Sequence, residues 1–356
     1  MIAARPARAR PDGSLRRRFA RQLGASWPVA LLNVCVMLVA GSLLWLTLDW
    51  ALLSAIAPWS PSSQCASAGG ACWPFLVEKA PLILLGTFPF EQRWRAALVS
   101  LVLIVMSLVT LFQWLHWRWL VTGWVLAMAL FGVLMGGGVV GLQPVPSAQW
   151  NGLPVLLLLG TASLACALPV GLLLALARQS TRRWLAHPAI AVIETLRGVP
   201  MVAVLFFGVF VLPLCVPGWH LPPVYAALIV LIAFHGAYVA EDFRTGFMAI
   251  PSGQWDACKG IGLSHWLALR LVILPQVIRT AIPALTNTAI GGFKDTSLIV
   301  LVGLHDLIST AKMSFSDPLW QKQALEAYVF VGIIFFAVSR GIAAAGKRLE
   351  RRNCQG

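Results

Sequence analysis

The chain has 356 residues, of which 59% are hydrophobic and 11% charged, and its formal net charge is +14. A water-soluble domain carries about twice that charged fraction, so lipid must be the solvent for much of this chain. Nucleic acid is excluded as the partner for the positive charge. Arginines crowd the start (Arg5, Arg8, Arg10, Arg16, Arg17, Arg18, Arg21) and cations the end (Lys347, Arg348, Arg351, Arg352), with no basic aromatic binding module between.

Taken in chain order, residues 1–28 are a basic N-terminus and the first apolar run covers 29–48. That run is long enough to span a bilayer and longer than the hydrophobic part of a secretory signal. No A-x-A-like cleavage site follows it cleanly, so it is read as an uncleaved first helix. Further runs lie at 96–113, 119–141, 154–177, 198–216, 222–240, 277–301 and 326–346. The expectation is an all-α integral membrane protein with about eight transmembrane helices.

Eight crossings put both termini on one face. Most Lys and Arg then fall on that face, which is therefore the cytoplasmic one. Lys79, Arg93, Arg95, Lys312 and Lys322 fall outside, and Lys294 sits within a span. The chain is thus expected in a bacterial inner membrane with both termini cytoplasmic, the second being 347–356. The segment 58–95 becomes a periplasmic loop. It holds Cys65 and Cys72, close enough in sequence to pair in an oxidising compartment, within an odd total of seven cysteines.

Gln143-Pro144-Val145-Pro146 reads as a joint. It separates an N-terminal region with three spans (29–149) from a five-span core (150–346). Gly132 with Gly136, and Gly137 with Gly141, are spaced to allow close helix packing in the third span.

The segment 241–275 is the longest internal stretch assigned to the cytoplasm. Its pattern is a short helix, a stop at Gly260-Ile261-Gly262, and a second, apolar-faced helix running towards Leu274-Pro275. Two short helices at an angle form a ridge that can plug into a partner. Gly262 suits a position of positive φ at a helix C-terminus.

Asp256-Ala257-Cys258, then Gly262, then Val272-Ile273-Leu274-Pro275 resembles the E-A-A-x3-G-x9-I-x-L-P signature of ABC-importer permeases. The spacing is intact, with Asp256, Cys258 and Val272 departing from the consensus. Gly253-Gln254, Gln276, Lys294-Asp295-Thr296-Ser297-Leu298 and Glu194-Thr195-Leu196-Arg197-Gly198-Val199-Pro200 are similar to the polar-amino-acid permeases of that group. Gly70-Ala71-Cys72-Trp73 and Glu91-Gln92-Arg93-Trp94-Arg95 look like the outer loop of the M-type permease of broad-specificity L-amino-acid importers. The resemblance implies a permease core whose 241–275 loop docks two ATPase subunits. It also implies a second related permease, or a second copy of this chain, and a periplasmic amino-acid-binding protein. ATP would be used by the partner subunits, with no cofactor bound by this chain.

Several charged residues fall at membrane depth or its edge, where charge tends to face a cavity or a partner. Glu194 and Arg197 are three apart and able to pair, as a structural ion pair or in contact with substrate or the loop. Lys294 and Asp295 are adjacent and point different ways, so each needs its own partner. Glu241 is a candidate partner for a basic group, and Lys294, Asp295, Thr296 and Ser297 are candidates to line the pathway. The six histidines are scattered without metal-ligand spacing, and His235, inside a span, reads first as a packing residue. Gly341-Ile342-Ala343-Ala344-Ala345-Gly346-Lys347 mimics a phosphate-binding loop, but Arg348 stands where Ser or Thr is needed. No catalytic set is visible, so a transport subunit is expected rather than an enzyme. The rival is an ion-coupled secondary transporter of small polar solutes, which calls for inverted repeats and mid-span acids.

Overall fold

The computed structural model describes residues 27–355 except Ala68, Val140, Pro217, Trp219 and His220. The basic segment expected at 1–28 lies almost wholly outside the described residues. Among the described residues the structure is helical, with one isolated bridge between Ile56 and Cys72. Seven helical stretches among these residues are long and apolar enough to cross a membrane, and a bent pair, taken as one span, makes an eighth.

The chain divides into two compact units between Pro74 and Phe75. The joint expected at Gln143–Pro146 is therefore not where compact units part. In the first unit, α1 (Trp27–Leu48) is an uncharged apolar helix that ends in a π-turn at Asp49–Leu53. The backbone then folds back, with Ala71 N–H donating to Trp50 O at 2.8 Å and Trp73 Nε1 to Ala51 O at 2.9 Å. Cys65 and Cys72 are joined as a disulfide, their Cα atoms 5.6 Å apart.

The second unit takes in α2 (Trp73–Leu85) from Phe75 onward, then α3 (Arg93–Phe112) and α4 (Trp117–Gly136). The stretch expected as a loop over 58–95 is thus largely helical. Then come α5 (Gly152–Arg178) and α6 (Arg183–Gly198), with α7 (Met201–Phe206) and α8 (Leu212–Cys215) joined by a π-turn. Next are α9 (Pro223–Met248), α10 (Ser252–Gly260), α11 (His265–Ala268) and α12 (Leu274–Asp295). The unit closes with α13 (Leu307–Ser314) and α14 (Ala324–Gln355).

The span expected at 198–216 is reshaped. α6 and the α7–α8 rod meet at an angle of 111°. Val199 and Pro200 are extended there, because proline lacks an N–H and pushes the residue before it out of helical geometry.

The centre of the unit is α5 against α9, where glycine permits close approach. A Cβ on Gly171 would lie 2.5 Å from Val239, and one on Gly236 would lie 2.9 Å from Val170. The glycines expected to do this in the third span do not. Gly132 faces open space, while Gly137 and Gly141 take positive φ in the turn after α4. Two apolar clusters fill the unit. One joins Phe88, Leu103, Phe131, Trp150, Leu157 and Leu231; the other joins Ile193, Val239, Phe243, Ile273 and Val277.

Candidate functional site

The second cluster ends at the 241–275 segment and holds it in place. Its first helix, α10, closes on a positive-φ residue, Gly262, at +78°. Leu263 N–H donates to Cys258 O and Gly262 N–H to Lys259 O, both at 3.0 Å. This is the glycine-terminated helix end expected from the sequence. Ser264 caps the next turn by accepting from Leu267 N–H at 3.4 Å. The second helix does not stop at Leu274-Pro275. It continues through a π-turn (Leu269–Ile273) into α12, with Pro275 in the first turn, where a missing N–H costs nothing.

The two short helices brace each other. The rings of Trp255 and His265 stack with centroids 5.0 Å apart, and Gln276 Nε2 donates to Gln254 Oε1 at 3.2 Å. Of the signature residues, Cys258 is buried while Gly253, Gln254, Asp256 and Ala257 are exposed. Asp256 lies 3.8 Å from Lys259. Pro275 is exposed and Leu274 half-buried. Between them the ridge presents Ile261, Trp266 and Leu271, at 77%, 64% and 58% exposure. Sequence reading had passed over these three, although exposed apolar side chains on a surface ridge are a sign of a partner.

Beside this ridge lies a knot of charge. Glu241 on α9 accepts from Arg244 Nε at 2.8 Å and again from Arg244 Nη2. It also lies 3.5 Å from Arg178 and 3.4 Å from Arg197. Arg178 in turn reaches Glu194 at 2.9 Å, and Arg197 rests over the ring of Tyr238 at 5.6 Å. Glu194 and Arg197 are thus paired with other helices rather than with each other. Asp242 accepts from Thr288 Oγ1 at 2.6 Å, tying α9 to α12. Arg178 and Arg244 escaped sequence reading; their signal was a charge at the same end of successive spans.

The C-terminal end of α12 separates its two adjacent charges, as the helical geometry requires. Lys294 is exposed and lines a groove of about 480 Å³ with Ser297, Tyr328 and Ser339. Asp295 faces the other way, 3.6 Å from Nε2 of buried His235. That ring fits because residue 292 is glycine, where a Cβ would lie 3.1 Å from it. Thr296 is buried and donates to Phe293 O at 2.6 Å, and Ser297 donates to Lys294 O at 2.8 Å. The Gly341–Lys347 string lies inside α14, without the strand-and-loop setting of a phosphate cradle.

Residues 167–352 match the family described as "Binding-protein-dependent transport system inner membrane component". The inner membrane amino-acid ABC transporter permease protein YhdY of Escherichia coli K12 is 36% identical, over 93% of this chain and 91% of that one. The glutamate/glutamine/aspartate/asparagine transport system permease protein BztC of Rhodobacter capsulatus is 30% identical, over 83% of this chain and 80% of its own. Among solved structures, an amino acid ABC transporter crystallised with histidines aligns at TM-score 0.50 and 29% identity, covering 56% of this chain and 90% of that one. With the apolar spans, the 256–275 signature in its intact spacing and relatives aligned over most of their length, this chain belongs to the binding-protein-dependent transport system inner membrane components and is an ABC-transporter permease.

Proposed function

We propose that this permease carries L-amino acids across the inner membrane into the cytoplasm, driven by ATPase subunits that dock on the 241–275 ridge. The observation that carries this reading is the ridge itself: two short braced helices, set by Gly262, that present Ile261, Trp266 and Leu271 outward. Such a shape suits insertion into a groove, and apolar anchors at its centre would hold it there. The amino-acid substrate is supported by the names of the relatives.

In this reading two ATPase copies serve a pair of permeases, the second being a related chain or another copy of this one. A periplasmic amino-acid-binding protein delivers the substrate. ATP is hydrolysed by the partner subunits, and this chain contributes neither a catalytic site nor a bound cofactor. Both termini are cytoplasmic, residues 150–346 form the five-helix transport core, and Lys294 and Ser297, which line one groove, are the candidates to meet a zwitterionic solute. Relatives that are ABC permeases support this over ion-coupled secondary transport.

The test is to replace Ile261 and Trp266 together by Asp, which leaves the buried core untouched. Co-purification of the ATPase and substrate-stimulated ATP hydrolysis are both expected to fall at least tenfold, as when a central apolar anchor is lost. If the ATPase stays bound and stimulation persists, the docking assignment is wrong.

A further inference from the structure

The turn between α3 and α4 gathers features that the transport reading does not use. Phe112, Trp114, Trp117 and Trp119 lie within eight residues, and the three tryptophans are each more than 60% exposed. α14 runs beside the end of α3, so that a Cβ on Gly341 would lie 3.4 Å from Leu111. Further along α14, Arg348 lays its guanidinium over the ring of Phe112 at 4.7 Å. The far side of this arrangement is also built, because Phe112 and Trp114 stack at 5.1 Å with their planes 15° apart.

The charge here is unbalanced. Arg118, Lys347, Arg348 and Arg351 are all exposed, and none has an ion pair among the described residues. Glu350, half-buried on α14, is the one acid in these two stretches. This contrasts with the knot around Glu241, where cations and carboxylates are interleaved. Exposed tryptophans at the end of a membrane helix sit at headgroup level, which sets the depth of the patch. Arg348 is held on a two-ring platform, so its N–H groups stay free and oriented for a phosphate, which a guanidinium binds through two parallel hydrogen bonds.

We propose that the α3–α4 turn and the end of α14 form a binding site for an anionic phospholipid headgroup of the cytoplasmic leaflet. Arg348 grips the phosphate, Arg118 and Lys347 add charge, and Trp117 and Trp119 border the glycerol region. The site takes its leaflet from the proposed orientation and is otherwise independent of what the permease carries.

The experiment is native mass spectrometry of the transporter complex extracted from bilayers of phosphatidylcholine mixed with phosphatidylglycerol. Wild type is expected to retain phosphatidylglycerol over phosphatidylcholine. Arg348→Gln should retain it about fivefold less, as expected for one cation at a membrane surface. Phe112→Leu, which keeps every charge but removes the platform, should also lose retention, and Lys322→Gln, outside these stretches, should not. Inorganic phosphate at millimolar concentration should fail to displace the bound lipid. Equal retention of both lipids, or wild-type retention in both Arg348→Gln and Phe112→Leu, overturns the proposal. Loss of the ATPase together with the lipid in Phe112→Leu also overturns it, because the patch is then a protein interface.

Discussion

Glu241 and Arg197 meet at 3.4 Å across two helices that are far from adjacent in sequence, and the same carboxylate holds Arg178 and Arg244. One acid thereby fastens the ends of α5, α6 and α9. Glu241→Gln removes the charge that separates three guanidinium groups. Discounting the cost of breaking a fully buried pair for the partial exposure here, the loss is about 2 kcal/mol. The variant should melt at lower temperature in detergent, and raising salt should narrow the gap to wild type. Equal melting curves would show that the knot contributes nothing to stability.

Gly262 provides a backbone test. A Cβ there meets no atom within 4 Å, so its constraint is conformational and not steric crowding. Gly262→Val is expected to cost about 1–2 kcal/mol through positive φ, and to tilt α10 against α11. Gly262→Asn, which tolerates that region, should retain most ATPase coupling. Stimulated hydrolysis in proteoliposomes ranks the two, and an equal effect would place the role of this residue elsewhere.

Arg95 is 1% exposed. Its Nε donates to Leu134 O at 2.6 Å and Nη1 to Gln143 O at 3.0 Å, so one side chain caps α4 and pins the segment after it. Arg95→Lys keeps the charge but cannot serve both carbonyls. Leaving at least one buried acceptor unpaired, it should cost about 1–3 kcal/mol. Thermal unfolding of the purified permease measures this, and unchanged stability would mean that water or lysine fills the gap.

Asp306 gives a pH dependence. It caps α13 through Oδ1, which accepts from Ser309 N–H and Oγ–H, both at 2.9 Å, and burial pushes its carboxyl above the ordinary value of 3.8. The folded state therefore holds this proton more tightly than the unfolded chain. The associated stability is full below that ordinary value and is lost as pH rises through the raised one. Asp306→Asn keeps the acceptor but cannot ionise. The stability difference, wild type minus variant, should fall as pH increases from 4, and a flat difference would refute the assignment.

Much of this architecture is legible in the sequence, because span-length apolar runs and the 256–275 spacing are local properties. What escaped is tertiary. The spacing of Glu194 and Arg197 allows a pair, but Arg178 and Glu241 from other helices compete for each and win. The glycines near 132–141 read as a packing stripe, yet only neighbouring helices decide which glycines are approached, and Gly171, Gly208 and Gly236 are among those that are. Thirteen residues are too few to register as a span, so α2 passed as loop. Arg95 counted as an outside charge because no local pattern reveals that two distant carbonyls converge on it.

α2 bears on how the protein is made. Its Lys79 reaches Asp317 at 3.5 Å, Phe75 meets Trp320 at 5.4 Å between centroids, and Ile83 O accepts from Thr310 Oγ1 at 2.6 Å. The first of these unions joins residues 238 positions apart. At about 5–20 residues per second, a ribosome takes roughly 12–48 s to supply the second half. For that interval the nascent chain carries an early helix whose apolar side has no mate. Phe75, fully buried in the finished protein, is then a surface that an insertase or a chaperone must shield until Trp320 arrives.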